Sequence, residues 1–162
     1  MAERPKPTPP SGLKPPSVEH KQVAAASFNK AKEAATGGQF DYAIELLMTC
    51  CRLDPGNFFY RQTLRKTQKD KYGNNMRGSR FAFLTSGRWK ARVKAAKRSR
   101  KYLEVLEHGE EVLKRNPWDL STQMDMAEAF DALGLSDLAV FTLDQARQKN
   151  QDRKSTRLNS SH

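Results

Sequence analysis

Between Arg61 and Lys101 the chain carries fifteen lysines and arginines against a single acid, Asp70. Cations so concentrated do one kind of chemistry well: they hold an anion, whether the phosphates of a nucleic acid or the carboxylates of a protein. In "SGRWKARVKAAKRSRKY", Lys90, Lys94 and Lys97 recur at helical steps and share one side, while Trp89, Val93 and Ala96 share another. Arg61, Arg65, Lys66 and Lys69 add cations on the helix before it. These seven residues form the candidate anion-binding set. Nucleic acid held by such a set would be released steeply by salt.

Two plainer uses compete. Charged stripes are commonly solvated faces, and the cations also have acids to meet: Glu104, Glu107 and Glu111 share a face of the next helix, and Asp125, Glu128 and Asp131 lie on the polar side of the one after. Internal or solvated use ranks ahead of nucleic-acid binding. RNA sites usually add exposed aromatics for stacking, and Trp89, the best candidate, reads as core.

No catalytic constellation accompanies the cations. His20 lies in a polar lead-in and His108 follows Glu107 on a charged helix, with no Ser, Cys or ligand set at a recommending spacing. GxxxxGKS/T, GxGxxG, HExxH and GxSxG are absent from the sequence. The expectation is a non-enzyme with no cofactor and no metal. Cys50 and Cys51 are adjacent, so their side chains diverge on a helix. They read as small buried thiols of a reducing compartment rather than a disulfide or a zinc site. No segment approaches the roughly 18 consecutive apolar residues of a membrane span, and "MAERPKPTPPSGLKPP" lacks the apolar stretch of a secretory signal. A cytoplasmic location and no membrane partner are expected.

The elements that must position these residues begin with an arm. Six of the eight prolines precede Ser17, which predicts a disordered Pro-rich arm over 1–22. "RPKPTPP" has the spacing that aromatic grooves bind, but a flexible lead-in is the stronger reading. From Val23 the period is helical: "VAAASFNKAKEAA" stops at Gly37-Gly38, and Asp41 is placed to cap a second helix. There Ala43, Ile44, Leu47, Met48 and Cys51 form the apolar stripe, ended by "DPGN". The design returns with Met126, Ala127, Phe130 and Leu133, a break at Gly134, then Leu138, Ala139, Leu143 and Ala146. Gly38 precedes Ala43 by five residues and Gly134 precedes Ala139 by five; Ala43 precedes Pro55 by twelve and Val105 precedes Pro117 by twelve. Repeated offsets of this kind mark a repeat protein.

The pattern resembles the tetratricopeptide repeat, with its period of about 34 residues. Met126-Ala127-x2-Phe130 and Ala139-x3-Leu143 match one unit; Ala31-x2-Ala34, Ala43-x3-Leu47 and Pro55 match another; Trp89, Val93, Ala96, Val105 and Pro117 supply a divergent middle one. The sequence departs from the pattern in three ways. The 62 residues from Pro55 to Pro117 fall short of two periods, Gly109 stands where a bulky residue belongs, and Arg92 and Arg100 replace the expected Leu and Gly. The resemblance implies an all-α fold: a short solenoid of antiparallel helix hairpins with repeats at about 24–57, 86–119 and 120–151, and an extra helix and loop at 58–85.

It also implies a function, a non-catalytic scaffold or adaptor that binds a protein or peptide in a concave groove lined by the first helix of each hairpin. That groove would comprise Phe28, Asn29 and Lys32, then Lys90, Lys94 and Lys97, then Met124, Asp125, Glu128 and Asp131. An acidic partner suits the basic middle unit. A clamp for a terminal carboxylate is disfavoured, since acids stand where the third unit would be basic. The alternative is an RNA- or ribosome-associated protein using segment 61–101. Finally, "DRKSTRLNSSH" (152–162) has no apolar period and can be spelled by the codons of a common sequencing adapter. It is expected to lie outside the fold, with the natural chain continuing in a cap or further repeats.

Overall fold

The computed structural model describes residues 13–161, which form eight helices and no strand. Residues 1–12, most of the predicted Pro-rich arm, lie outside the described residues. The first helix, α1 (Val18–Thr36), starts earlier than the boundary predicted at 23. Ser17 accounts for this: its side chain accepts the His20 N–H at 3.1 Å, satisfying one of the donors a helix start leaves open. The remaining helices are α2 (Phe40–Leu53), α3 (Phe58–Lys71), the single turn α4 (Ala82–Thr85), α5 (Gly87–Arg98), α6 (Tyr102–Leu113), α7 (Leu120–Ala132) and α8 (Ser136–Asn159).

Three connections, at 37–39, 99–101 and 133–135, reverse the chain in the same way. Gly38, Arg100 and Gly134 take φ of 77°, 55° and 73°. The next N–H in each case donates back to the carbonyl five residues earlier, Gln39 to Ala34, Lys101 to Ala96 and Leu135 to Phe130, all at 2.9 Å. This is the left-handed helix terminus that glycine favours. Its residue stands five positions before Ala43, Val105 and Ala139 in turn, all of them buried. The repeated spacing in the sequence is therefore a repeated turn, and Arg100 adopts the glycine conformation without being glycine. Asp41, expected to cap α2, instead sits in its first turn and pairs with Lys71 at 2.5 Å; Gln39 occupies the cap without a side-chain bond.

Consecutive helices pack on one another, α1 with α2, α5 with α6, α6 with α7, and α7 with α8. The apolar interior has two parts. One, around Ile44, Leu47, Met48, Cys50, Cys51 and Leu64, is rich in small residues, with Ala24 and Ala31 letting α1 approach α2 closely. The other centres on Val105, Leu106, Leu113, Met126, Phe130 and Leu138. Helix α3 serves both, giving Tyr60 and Leu64 to the first and Phe58 to the second. Gly109, the odd residue for the repeat pattern, has a packing reason: a Cβ there would fall 2.5 Å from the Met126 Sδ. The long Met126 side chain fills the space that a bulky residue would have taken from α6.

The predicted extra helix and loop at 58–85 are α3, a Gly/Asn turn and α4. Three anchors hold this segment to the α6–α7 corner. Tyr72 Oη donates to the Lys114 carbonyl at 2.9 Å, Ser79 N–H donates to the Arg115 carbonyl at 2.8 Å, and Gly78 lies so near that a Cβ would meet that carbonyl oxygen at 2.5 Å. The last helix runs on through the adapter-like residues to Asn159, where no fold was expected. Each added residue of an established helix forms one more backbone bond at little cost. All residues from Gln151 to Ser161 are exposed, so this stretch adds nothing to the core.

Candidate functional site

The three lysines of α5 stand one turn apart, and each meets an acid of α7 or its cap. Lys90 Nζ lies 2.5 Å from Asp119, Lys94 lies 2.6 Å from Asp125, and Lys97 lies 3.0 Å from Asp125 and 2.7 Å from Glu128. Asp119 also caps α7 by accepting the Thr122 N–H at 3.0 Å. Burial works against its charge, but the hydrogen bonds from Lys90 and Thr122 outweigh it and hold the carboxyl below its ordinary pKa. The hydrogen bonds that Lys97 donates to Glu128 and Asp125 keep it charged to higher pH than usual. The lysine ends remain open to solvent, whereas the Asp125 side chain is only 6% exposed. The stripe is thus an interhelical zipper with a wet outer edge.

Arg61 and Arg65 do not lie on the surface. Both are buried, and both donate to the buried Glu110 of α6: Arg61 Nη1 to Oε1 at 2.9 Å, Arg65 Nη2 to Oε1 at 2.9 Å and Arg65 Nη1 to Oε2 at 3.1 Å. Gln68 Nε2 completes the set on Oε2 at 3.3 Å. Burial opposes the Glu110 charge, yet the two guanidiniums outweigh that and hold its pKa below the usual glutamate value. Both arginines are thereby withdrawn from any surface contact with phosphate. Lys66 makes an exposed pair with Asp70 at 2.6 Å. Lys69 donates to Gln145 and lies over the Trp118 ring at 6.0 Å; burial, with Arg65 adding, pulls its pKa down to about 8.

The groove residues divide into two patches. Phe28 stacks on Tyr60 of α3 at 5.0 Å, Lys32 lies 4.9 Å above the Phe28 ring, and Asn29 is exposed beside them. Met124, Asp125, Glu128 and Asp131 gather with Lys97 around an open cleft of about 560 Å³, whose other wall is Ala139, Val140 and Leu143 of α8. Met124, Val140 and Leu143 are 49%, 65% and 44% exposed, an apolar strip with an acidic rim. Lys90 and Lys94 continue from this cleft along α5.

Sequence reasoning missed several participants. Glu110 occupies the buried stripe of α6, four residues after Leu106 and three before Leu113, a position that signals a partnered acid. Arg61, Arg65 and Gln68 share one face of α3 at the same steps. Val140 carried no signal, because the second-helix positions were read only as core. The arginines without a carboxylate partner among the described residues include Arg77, Arg80, Arg88, Arg92 and Arg100, none of them in the predicted anion set. Near them Phe81 and Phe83 are exposed, at 62% and 75%. Trp89 is half-buried beneath Arg88 and Arg92, at 5.0 and 4.8 Å, and beside His108 at 5.8 Å.

Cys50 and Cys51 are free and buried, and burial pushes their thiols up to about 11 and about 12, so neither is a ready nucleophile. Among the described residues, no three His, Cys, Asp or Glu side chains converge as a metal ion would require, and no helix is long and apolar enough to cross a membrane. No protein-family model matches the chain, and neither do the curated proteins or the solved structures with which it was compared.

Proposed function

We propose that the protein is a tetratricopeptide-like helical scaffold that binds a protein partner at the α5–α7–α8 cleft. The observation that carries this reading is the apolar strip of Met124, Val140 and Leu143 rimmed by Asp125, Glu128 and Asp131. Apolar surface flanked by charge is what a peptide or helix buries on docking. The three matching hairpin turns support the family resemblance. Lys90, Lys94 and Lys97 are already engaged by Asp119, Asp125 and Glu128, so the cleft offers no free line of cations to the acidic segment that the sequence suggested, and the exposed Glu128 and Asp131 at its lip favour a basic amphipathic one. Affinity capture from source lysate, with and without nuclease and at two salt concentrations, tests it. Specific proteins retained after nuclease and lost in the V140D/L143D variant support the scaffold; retention unaffected by that variant overturns it.

A second reading has its own observation. Exposed Phe81 and Phe83 stand on a turn flanked by the unpaired Arg77, Arg80 and Arg88, the aromatic-plus-cation combination that stacks on single-stranded RNA. In the same capture, everything retained would then vanish with nuclease, and F81A/F83A would abolish binding while V140D/L143D would not.

A further inference from the structure

Two apolar surfaces of this chain stand uncovered, and they carry opposite charge. The first is the α4 turn, where Phe81, Phe83 and Leu84 are 62%, 75% and 66% exposed while Ala82 among them is buried. Arg77, Arg80 and Arg88 flank it, and none of the three has a carboxylate partner among the described residues. Backbone bonds hold the turn in place at both ends: the Ser79 N–H donates to the Arg115 carbonyl at 2.8 Å, and the Ser86 N–H donates to the Ala82 carbonyl at 2.9 Å. An apolar knob formed in advance loses little freedom when it docks.

The second is the α7–α8 cleft, whose lining joins Met124, Val140 and Leu143 to three acids, Asp125, Glu128 and Asp131, and one cation, Lys97. An apolar knob ringed by cations and an apolar cleft rimmed by acids are complementary in both shape and sign. The same asymmetry runs through the sequence: residues 61–101 hold fifteen cations to one acid, and the rest of the chain has more acids than cations. Pairing like with like about a two-fold axis would set arginine against arginine or acid against acid. Only a head-to-tail contact, knob of one copy into cleft of the next, brings opposite charges together. Single-stranded RNA would use the two phenylalanines and the arginines, but Leu84 offers a base no ring to stack on, and the cleft would stay empty.

We propose that the partner of the cleft is a second copy of this chain, which inserts its α4 turn there. Phe81, Phe83 and Leu84 of one copy cover Met124, Val140 and Leu143 of the other, and Arg77, Arg80 and Arg88 face Glu128 and Asp131. This rests on the reading of the cleft as a protein-binding site and names its occupant. Because knob and cleft are different surfaces, a docked pair keeps one of each free, and assembly continues unless it closes into a ring.

Sedimentation velocity of the nuclease-treated full chain, from about 1 to about 500 μM, tests it. Species larger than the monomer that grow with concentration and recede at high salt are expected. F81A/F83A removes the knob and V140D/L143D spoils the cleft; each variant alone should be monomeric, with its helical circular dichroism intact, since all four side chains are at least 44% exposed. Mixed in equal amounts, each variant supplies the surface that the other lacks, and the mixture should form a dimer and nothing larger. A wild type that stays monomeric throughout overturns the proposal, and loss of nuclease-sensitive capture in F81A/F83A would then assign the turn to RNA. Association that either variant retains alone, or a mixture that stays monomeric, overturns it equally. Failure of the cleft reading itself looks different: V140D/L143D would then capture other proteins from lysate as the wild type does.

Discussion

Two sets of cations in this chain look alike in sequence and behave oppositely in space. Arg61 and Arg65 on α3, and Lys90, Lys94 and Lys97 on α5, both repeat at helical steps, and both end on acids of a neighbouring helix. The α3 set uses guanidiniums, which are weakly hydrated, fork-shaped and able to satisfy a buried carboxylate from several directions. The α5 set uses ammonium groups on long stems, which pack alongside the helix and keep their ends in water. The choice of arginine or lysine thus separates an ion network inside the protein from one on its edge. In the first, dehydration sets the energy; in the second, screening by salt does.

The largest effect expected from breaking that comparison is at Glu110. Glu110→Gln leaves two guanidiniums buried without a counter-charge, and urea unfolding should show a loss of about 3–5 kcal/mol. Asp125→Asn removes the acid shared by Lys94 and Lys97, whose ends reach solvent, and should cost only about 1 kcal/mol, shrinking as salt is raised. If the two variants cost the same, the distinction between the sets fails.

Acid sharpens it further. The folded Glu110 carboxyl has a depressed pKa, so the stability it confers is complete above the unfolded glutamate value of about 4.3 and drains away as pH falls through the folded one. The gap between wild type and Glu110→Gln should be flat near neutrality and narrow below about pH 4, measured as unfolding midpoints against pH.

Packing next to the buried set comes after it in size. Gly109→Ala, one residue before Glu110, forces Met126 from its seat and should destabilise by about 1–3 kcal/mol, less whatever alanine restores in helix propensity. The smallest change goes the other way. Arg100→Gly relieves a left-handed φ of 55° at the turn following the lysine stripe and should stabilise by roughly 1 kcal/mol, seen as a raised melting temperature. A loss there would mean that the arginine side chain does more than occupy the turn.

Much of the helix order was legible, because glycine, proline and three-to-four-residue apolar steps report local structure directly. The hairpin turns at Gly38 and Gly134 and the break at "DPGN" were visible for that reason. Ser17 was overlooked as a cap because the prolines before it dominated the segment. The site was less legible. Pairing between Arg61 and Glu110 spans 49 residues: the place of Glu110 on the apolar stripe of α6 marks it as an acid with a partner, but nothing local says which partner until α3 is placed against α6. The sequence suggested an internal charge match and named Asp125 and Glu128 among the acids that do meet the lysines, but it did not name Glu110, the partner of Arg61 and Arg65.

Helix α3 has a consequence for how the molecule comes apart. A stack whose members touch only their neighbours can fray from either end, each hairpin melting on its own terms. Here one helix lends Tyr60 and Leu64 to one apolar cluster, Phe58 to the other and two guanidiniums to α6. Neither half can open without stripping a face from α3 and leaving ions in a dry place. The helix acts as a keystone, turning what would be a series of separate local equilibria into a single all-or-none transition.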